Sequence, residues 1–241
     1  MKKILFSFLF PLITLIILII TLSSQIFEIP PLGKFLNPFI GVVQNGESKK
    51  SNRFKLIISK LDLSDSIVVC FDNRNVPHIF AKNSDDLYFA QGYVTAYLRL
   101  WQMDFISYAS AGRLSEIFKN GFLDYDRRKR RIGILAAAKK SLALIEKDQT
   151  TLNILSAYTK GINAYIRQLN YKSMPMEYKL LDYNPEPWSN LKTVLIIKNM
   201  ADMLSGYDED LSMTNLIIAL GEEKFNKLFP DFHSHISPIM D

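Results

Sequence analysis

Apolar and polar residues follow helical spacing most clearly in residues 92–105, which read GYVTAYLRLWQMDF. Large apolar residues recur there at intervals of three and four, so they share one face of an α-helix. That face consists of Val94, Leu98, Trp101 and Phe105. The pattern predicts a helix over residues 85–109. Its polar surface is expected around Arg99, Gln102 and Asp104.

The start of this helix and one position inside it carry further signals. Ser84 precedes two carboxylates. A short polar side chain can cap free backbone amides, and acidic residues suit the positive end of the helix dipole. We therefore expect Ser84 to begin the helix as its cap. Gly92, inside the pattern, indicates a position that another backbone approaches closely.

Before residue 84 the pattern is typical of strands, and beyond it the pattern is helical. Short runs rich in β-branched residues, KLIIS, SIVVCF and VPHIFA, predict two or three strands within residues 54–81, with a turn at residues 72–75. Four more helical patterns follow, over residues 133–146, 150–169, 191–204 and 211–229. The sequence therefore predicts an α+β, mostly helical fold.

The N-terminal segment has a different pattern, because residues 4–22 carry no charge and are long enough to cross a bilayer as a helix. The residues that follow make a poor cleavage site, so an uncleaved signal anchor over residues 1–27 is favoured over a cleaved secretory signal. Two lysines at the start would keep the N-terminus inside. This predicts a membrane-anchored protein on the extracytoplasmic (periplasmic) side, with secretion after signal cleavage as the alternative.

Composition shifts again after the predicted anchor. Residues 28–53 are rich in proline, glycine, asparagine and serine, which predicts a stiff, extended linker. Residues 54–241 are then left for one folded domain. With 48% hydrophobic and 22% charged residues, the chain has material for a core and no signature of wholesale disorder. Its single cysteine, Cys70, excludes an internal disulfide.

The net charge of +5 is scattered, except for a run of five basic residues at 127–131. Such a run can bind nucleic acid or lipid. Asp124 and Asp126 precede it, however, and no aromatic residues interleave with it. These features favour an ordinary solvated face, and no nucleic-acid partner is expected.

The residues alone do not define an enzyme. The chain has no G-x-S-x-G elbow, no glycine-rich phosphate loop and no C-x-x-C pair. Its histidines are His78, in a predicted strand, and His233 and His235 near the end of the chain. A structural role is favoured for the first, and a solvated segment rather than a metal site for the other two.

Four motifs taken in order are more specific. They read DNRNVPHIFAKNSDDLYFAQGYVTAYLRLWQMD, AGRLSEIF, LSAYTKGINAYI and PMEYKLLDYNPEPW. Their succession over about residues 66–230 resembles the penicillin amidase (penicillin acylase) family of N-terminal nucleophile hydrolases. The resemblance is to the family's α part, so it implies the α-chain portion of an αββα fold that is incomplete without a β part.

The resemblance also implies where the chemistry lies. In this family a precursor cuts itself and frees a serine, cysteine or threonine as the first residue of the β part, and that residue's own α-amino group assists as base. The sequence reaches Asp241 before any such residue. We therefore expect no catalytic residue on this chain and a β part, from the same precursor or a separate chain, as its partner.

The function implied is that of an amidohydrolase that cleaves small acyl amides, as penicillin, cephalosporin or acyl-homoserine lactone acylases do. The alternative from another class is a catalytically inactive, membrane-tethered binding or scaffold domain, or a truncated remnant. The first hypothesis rests on the four motifs in order, and the second on the missing nucleophile.

Two kinds of site residue follow from the resemblance. The segment NMADML matches the place where the family's α part contributes to the acyl pocket, which implies that Met200, Met203 and Leu204 contact substrate. The alternative is that all three are ordinary core residues. Asp210 matches the place of a carboxylate ligand to a structural calcium ion, with Asp208 and Glu209 also available.

The sequence departs from the family's pattern at several positions. Asn75 stands where glycine is usual, but asparagine tolerates a left-handed turn. The other departures are Phe71 for an arginine, Tyr97 and Leu98 for a Gln-Asp pair, and Lys192 for an aspartate. Each of these is expected to lose a polar group that could orient a neighbour.

Overall fold

A computed structural model of the chain describes residues 2–24, 31–46, 55–58, 63–205 and 209–230. The chain divides into two compact units, Met1–Asn199 and Met200–Asp241. The boundary lies within one helix, so the last turn of that helix belongs to the second unit. The described residues are mostly helical with one small sheet, as the sequence predicts.

The secondary structure begins and ends as follows. The strands are β1 (Lys55–Ile58), β2 (Ile67–Phe71) and β3 (Pro77–Phe80). The helices are α1 (Lys2–Ser23), α2 (Leu32–Phe35), α3 (Val43–Gly46), α4 (Ser84–Ala111), α5 (Ser115–Phe118), α6 (Leu123–Ile132), α7 (Ile134–Ile145), α8 (Gln149–Gln168), α9 (Met176–Leu181), α10 (Asn190–Leu204), α11 (Glu209–Leu220) and α12 (Glu222–Leu228). A 3₁₀ turn, Lys119–Phe122, joins α5 to α6.

The sheet is antiparallel with the order β1-β2-β3, which confirms the predicted strands. In register, Val69 of β2 lies opposite Leu56 and Ile79. Ile67 and Val69 are fully buried and pack on the first half of α4. The turn between β2 and β3 contains Asn75 with φ of +60°, so this residue adopts the left-handed conformation that asparagine tolerates.

Helix α4 is capped one residue earlier than the sequence predicts. Asn83 has extended backbone angles, and its side-chain oxygen accepts a hydrogen bond of 2.8 Å from the Asp86 amide. Ser84 is therefore the first helical residue and not the cap. The buried Asp86 carboxylate accepts hydrogen bonds from the amides of Ser64 and Asp65, both at 3.1 Å, so it ties the connection between β1 and β2 to the start of α4.

Helices α4 and α8 pack with their backbones in close contact. A Cβ atom added at Gly92 would lie 2.1 Å from the Tyr158 carbonyl oxygen, and one at Gly161 would lie 1.9 Å from the Phe89 carbonyl oxygen. Both distances are far below any real contact, so only glycine fits at these two positions. The prediction of a close approach at Gly92 is confirmed.

A break at Arg99 changes which residues of α4 face the core. Arg99 has φ of −145° and ψ of 25°, so two helical segments meet at a kink. The expected phase fails on both sides of the kink: Leu98, which directly precedes it, is exposed, whereas Asp104, which lies beyond it, is buried. The prediction that Asp104 lies on the polar surface is therefore wrong, because that prediction extended one regular helix across the kink.

The N-terminal segments differ in part from the predictions. Residues 2–23 form α1, but no helix among the described residues is both long and apolar enough to cross a membrane, so the predicted span is not supported.

Residues 31–46 do not form an extended connector. They contain two single-turn helices, and the buried Lys179 ammonium of α9 donates hydrogen bonds to the Gly41 carbonyl (3.0 Å) and the Asn45 side chain (2.6 Å).

Helices α7, α8 and α10 agree with the predicted patterns to within a few residues, whereas α5, α6 and α9 were not predicted. The last pattern agrees only in part. The pattern over residues 211–229 predicts one helix, but Gly221 has φ of +78° and separates α11 from α12. Glycine adopts this conformation without steric cost, so the helix ends there.

The contact between α4 and α8 generates a prediction. Replacing Gly161 by alanine should lower the free energy of unfolding by about 1–3 kcal/mol, because the new methyl group forces the two backbones apart. The midpoint of chemical denaturation measures this change. Gly121→Ala is the matched control, since a Cβ there meets no atom within 4 Å. Equal midpoints for the two variants would contradict the close packing.

Candidate functional site

The most elaborate polar arrangement in the first unit centres on Asp104, which is 1% exposed. The Lys192 ammonium of α10 lies 2.9 Å from Asp104 Oδ1, and the Tyr178 hydroxyl of α9 donates a hydrogen bond of 3.1 Å to Oδ2. One carboxylate of α4 thus binds side chains from two other helices. We call Asp104, Lys192, Glu186 and Arg113 the charge cluster.

Glu186, in the loop between α9 and α10, links the two cations of this cluster. Its Oε2 lies 3.2 Å from Lys192 Nζ, and both of its oxygens accept hydrogen bonds from the Arg113 guanidinium, at 2.8 and 3.2 Å. Arg113 also binds Glu116 at 2.6 and 2.8 Å. The charges alternate in sign from the buried carboxylate to the surface, so each cation contacts two carboxylates.

Aromatic rings enclose the cluster. The Tyr108 ring lies 4.5 Å from the Arg113 guanidinium and 5.5 Å from Lys192 Nζ. The Trp188 ring lies 5.4 Å from the same ammonium. Two hydrogen bonds hold the Trp188 backbone on Asn163 of α8, from Trp188 N to Asn163 Oδ1 (2.7 Å) and from Asn163 Nδ2 to Trp188 O (2.9 Å). These rings keep water away from Lys192 and strengthen its pairing.

Burial and pairing shift the pKa values in this cluster in different directions. Burial raises the pKa of Asp104, and the Lys192 ammonium and Tyr178 hydroxyl oppose that rise. Hydrogen bonds from Arg113 lower the pKa of Glu186 to about 2. Burial, with the Asp104 charge nearby, raises the pKa of Tyr178 far above its ordinary value. At neutral pH the tyrosine is a hydrogen-bond donor, and both carboxylates are stabilised as anions by their cations.

The charge cluster positions structural elements of the fold and does not itself supply a nucleophile of the serine, threonine or cysteine kind. Its carboxylates and cations are fully engaged with one another, and it contains no serine, threonine or cysteine that could attack a carbonyl. The cluster fixes the first half of α10 and the preceding loop on α4. The expectation that Lys192 loses an orienting group is wrong, because its ammonium is itself the orienting group.

The predicted substrate residues lie at the C-terminal end of α10, in the second unit. Met200, Met203 and Leu204 are 55%, 69% and 80% exposed, so none of them is an ordinary core residue of this chain. They present apolar surface within one turn of helix. A role in substrate binding stays a prediction.

The predicted calcium ligand lies in the first turn of α11. Asp210 and Glu209 are exposed there, and the Thr214 hydroxyl donates a hydrogen bond to the Asp210 carbonyl. Asp208 lies outside the described residues. Within the described ranges no three carboxylate, histidine or cysteine side chains come together as a metal site. Calcium at Asp210 stays a prediction.

The other candidate groups have ordinary surroundings. His78 Nε2 lies 3.6 Å from Asp72 Oδ2 at the surface of the β2–β3 turn, and a structural role stays a prediction. Cys70 is a free, partly buried residue of β2. His233 and His235 lie outside the described residues.

Comparison with known proteins places this fold in a family. The family model described as penicillin amidase matches residues 66–235, which is more than half of the chain. The chain therefore belongs to the penicillin amidase family.

Individual relatives carry acylase names. The penicillin G acylase of Escherichia coli is 26% identical over 66% of this chain and 19% of its own length. The penicillin acylase 2 proenzyme of Pseudomonas sp. (strain SE83) is 29% identical over 57% of this chain and 17% of its own length. The acyl-homoserine lactone acylase QuiP of Pseudomonas aeruginosa is 26% identical over 70% of this chain and 20% of its own length. The chain spans about a fifth of the length of these relatives.

A solved structure agrees with the sequence comparisons. The thermostable penicillin G acylase from Alcaligenes faecalis superposes with a TM-score of 0.60 at 26% identity. The superposition covers 73% of this chain and 96% of the solved chain. Nearly the whole of that solved chain therefore has a counterpart here.

The charge cluster was missed by sequence reasoning, although part of its signal was present. Asp104 follows a long apolar stretch, and Arg113 and Glu116 stand in the AGRLSEIF motif. Charged residues inside such segments indicate buried pairing. The partner Lys192 lies 88 residues away along the chain, and no local pattern links the two.

Removing the cation at the centre of the cluster should be strongly destabilising. Lys192→Met leaves Asp104 buried without its counter-ion, which should lower the free energy of unfolding by about 3–5 kcal/mol. The native carboxyl would then hold its proton more tightly than the unfolded one, so the variant's stability should fall as pH rises from the carboxyl's ordinary pKa of 3.8 toward neutral. Denaturation across that pH range measures both effects. In the control Lys160→Met, at an exposed position of α8, stability should change by less than about 0.5 kcal/mol.

Glu186 should make the protein sensitive to acid. Its pKa is about 2 in the folded chain and 4.5 in its ordinary state, so the unfolded chain binds this proton first. The stabilisation is complete above the ordinary value and is lost as pH falls from 4.5 toward 2. Glu186→Gln should flatten the dependence of stability on pH in that window. Glu146→Gln, at an exposed position, is the matched control, and identical slopes for the two variants would contradict the assignment.

Proposed function

We propose that this chain is the α region of an amidohydrolase that cleaves an acyl amide bond. The observation that carries the proposal is the match to the penicillin amidase family over residues 66–235, supported by the superposition on a solved penicillin G acylase chain. The relatives named above are penicillin acylases and acyl-homoserine lactone acylases. The substrate class proposed is therefore a small amide with an apolar acyl group.

We further propose that the nucleophile comes from a β part. The charge cluster contains no serine, threonine or cysteine, its lysine is paired with a carboxylate, and one relative is named a proenzyme. In the proposed reaction, the first residue of the β part attacks the amide carbon through its hydroxyl or thiol, with its α-amino group as base. The amine leaves with a proton, and water then releases the acyl group as an acid.

The contribution of this chain would be to shape the acyl side of the site. Met200, Met203 and Leu204 present flexible and aliphatic side chains of the kind that line apolar pockets. Their exposure supports a role in contacts outside the chain, either with an acyl group or with the β part. The charge cluster anchors the first half of α10 to α4.

The test begins with purification of the tagged full chain from its own cells. We expect a second polypeptide to copurify, with serine, threonine or cysteine as its first residue by N-terminal sequencing. The complex should hydrolyse a chromogenic acyl amide, and replacing that first residue by alanine should abolish activity. A chain that purifies alone, folded and inactive, would contradict the proposal and favour a binding or scaffold domain.

Within an active complex, the apolar end of α10 should set acyl specificity. Leu204→Ala should lower kcat/KM roughly tenfold for a bulky acyl group and less for acetyl, because a smaller side chain leaves part of the acyl group uncovered. Leu228→Ala, an exposed leucine of α12, is the matched control. Equal effects of the two substitutions on all acyl lengths would remove Leu204 from the site.

A further inference from the structure

The positive charge of the chain is concentrated in one region. Residues 113–147 contain ten lysines and arginines and four acidic residues, a net charge of +6, whereas the whole chain has a net charge of +5. The rest of the chain is thus close to neutral. This region comprises α5, α6 and α7.

The structure changes the charge balance expected on α6. Asp126, which precedes the basic run, is buried, and its carboxylate accepts the amides of Leu114 (2.9 Å) and Ser115 (2.7 Å). Its charge therefore faces inward and does not neutralise the exposed side of the helix. On that exposed side Asp124 pairs with Arg127 at 3.1 Å, while Arg128 and Arg131 are also exposed.

Exposed apolar side chains lie among these charges. Tyr125, Arg128 and Ile132 are spaced by three and four residues, so they share one face of α6, and all three are exposed. Phe122, at the start of the helix, is also exposed, and its ring lies 6.4 Å from that of Tyr125. Leu123 is exposed beside it. The face therefore combines arginines with aromatic and aliphatic surface.

Helix α7 continues the same combination. It follows α6 after a left-handed turn at Gly133, with φ of +83°. Lys140, Leu144 and Lys147 are again spaced by four and three residues and are exposed. We call the exposed residues of 122–147 named in this subsection the basic face.

We propose that the basic face docks on the surface of an anionic lipid bilayer. Arginine and lysine side chains would bind lipid phosphates, and the apolar side chains between them would enter the boundary between headgroups and acyl chains. The exposed aliphatic residues Leu123, Ile132 and Leu144 favour lipid over nucleic acid as the partner. Aliphatic side chains can enter a bilayer, but they cannot stack on bases as aromatic side chains do. The proposal does not depend on the acylase function.

A fluorescent reporter on the full chain tests the proposal. Gly121→Cys places a thiol beside the basic face, at a position where a Cβ meets no atom within 4 Å, in a Cys70→Ala background. Labelled with an environment-sensitive dye, it should show a blue shift with phosphatidylcholine vesicles containing about a third phosphatidylglycerol. With pure phosphatidylcholine the shift should be absent, and high salt should reduce it. The same dye at Lys160→Cys should not respond to lipid charge.

Matched charge variants test which cationic residues are responsible for binding to anionic lipid. Arg128→Gln, Arg131→Gln and Lys140→Gln together should weaken the dye response to anionic vesicles on the order of a hundredfold in lipid concentration. Lys160→Gln, Arg167→Gln and Lys172→Gln remove equal charge from other exposed positions and should leave it unchanged. Because α1 also exposes apolar side chains, whose contact with lipid would not depend on lipid charge, the difference between the two vesicle types is the quantity that decides. An equal shift with both vesicle types, or a response only to duplex DNA, would overturn the proposal.

Discussion

The pairing of Asp104 with Lys192 is the interaction on which the arrangement of the helices depends. A carboxylate that is 1% exposed costs several kcal/mol to bury unless it is paired and hydrogen-bonded. Here the ammonium of α10 and the hydroxyl of α9 supply that compensation at 2.9 and 3.1 Å. Because neither helix can move without leaving the carboxylate unpaired, three helices are held in one arrangement.

The kink at Arg99 and the glycine contacts with α8 make this pairing possible. Gly92 and Gly161 bring the two backbones together along the first half of α4. The break at Arg99 then changes the phase of the second half, in which Asp104 faces inward. Through Glu186 the pairing reaches Arg113 at the end of α4.

Much of the fold could be predicted from the sequence because its signals are local. Helical spacing gave α4, α7, α8 and α10 to within a few residues, and β-branched runs gave the sheet. The prediction of helix caps failed where two neighbouring residues can both cap the helix, as Asn83 and Ser84 can at the start of α4. Helical spacing also failed at the kink, because periodicity assumes an unbroken helix.

The site was harder to predict than the fold, for a physical reason. Lys192 and Asp104 are far apart in sequence, and each is unremarkable in its own local pattern. Only the fold brings them together. The family resemblance pointed instead to Met200, Met203 and Leu204, whose exposed positions leave their role as a proposal. Local patterns therefore predicted elements, whereas long-range pairing decided how those elements are joined.

A double-mutant cycle between positions 104 and 192 tests the central claim most directly. The free energy of unfolding would be measured for the natural chain, Asp104→Asn, Lys192→Met and the double variant. If the pairing fixes the frame, the two substitutions should be strongly non-additive, with a coupling energy of about 2 kcal/mol or more. Additive effects within about 0.5 kcal/mol would show that the two charges do not depend on each other and would contradict this account.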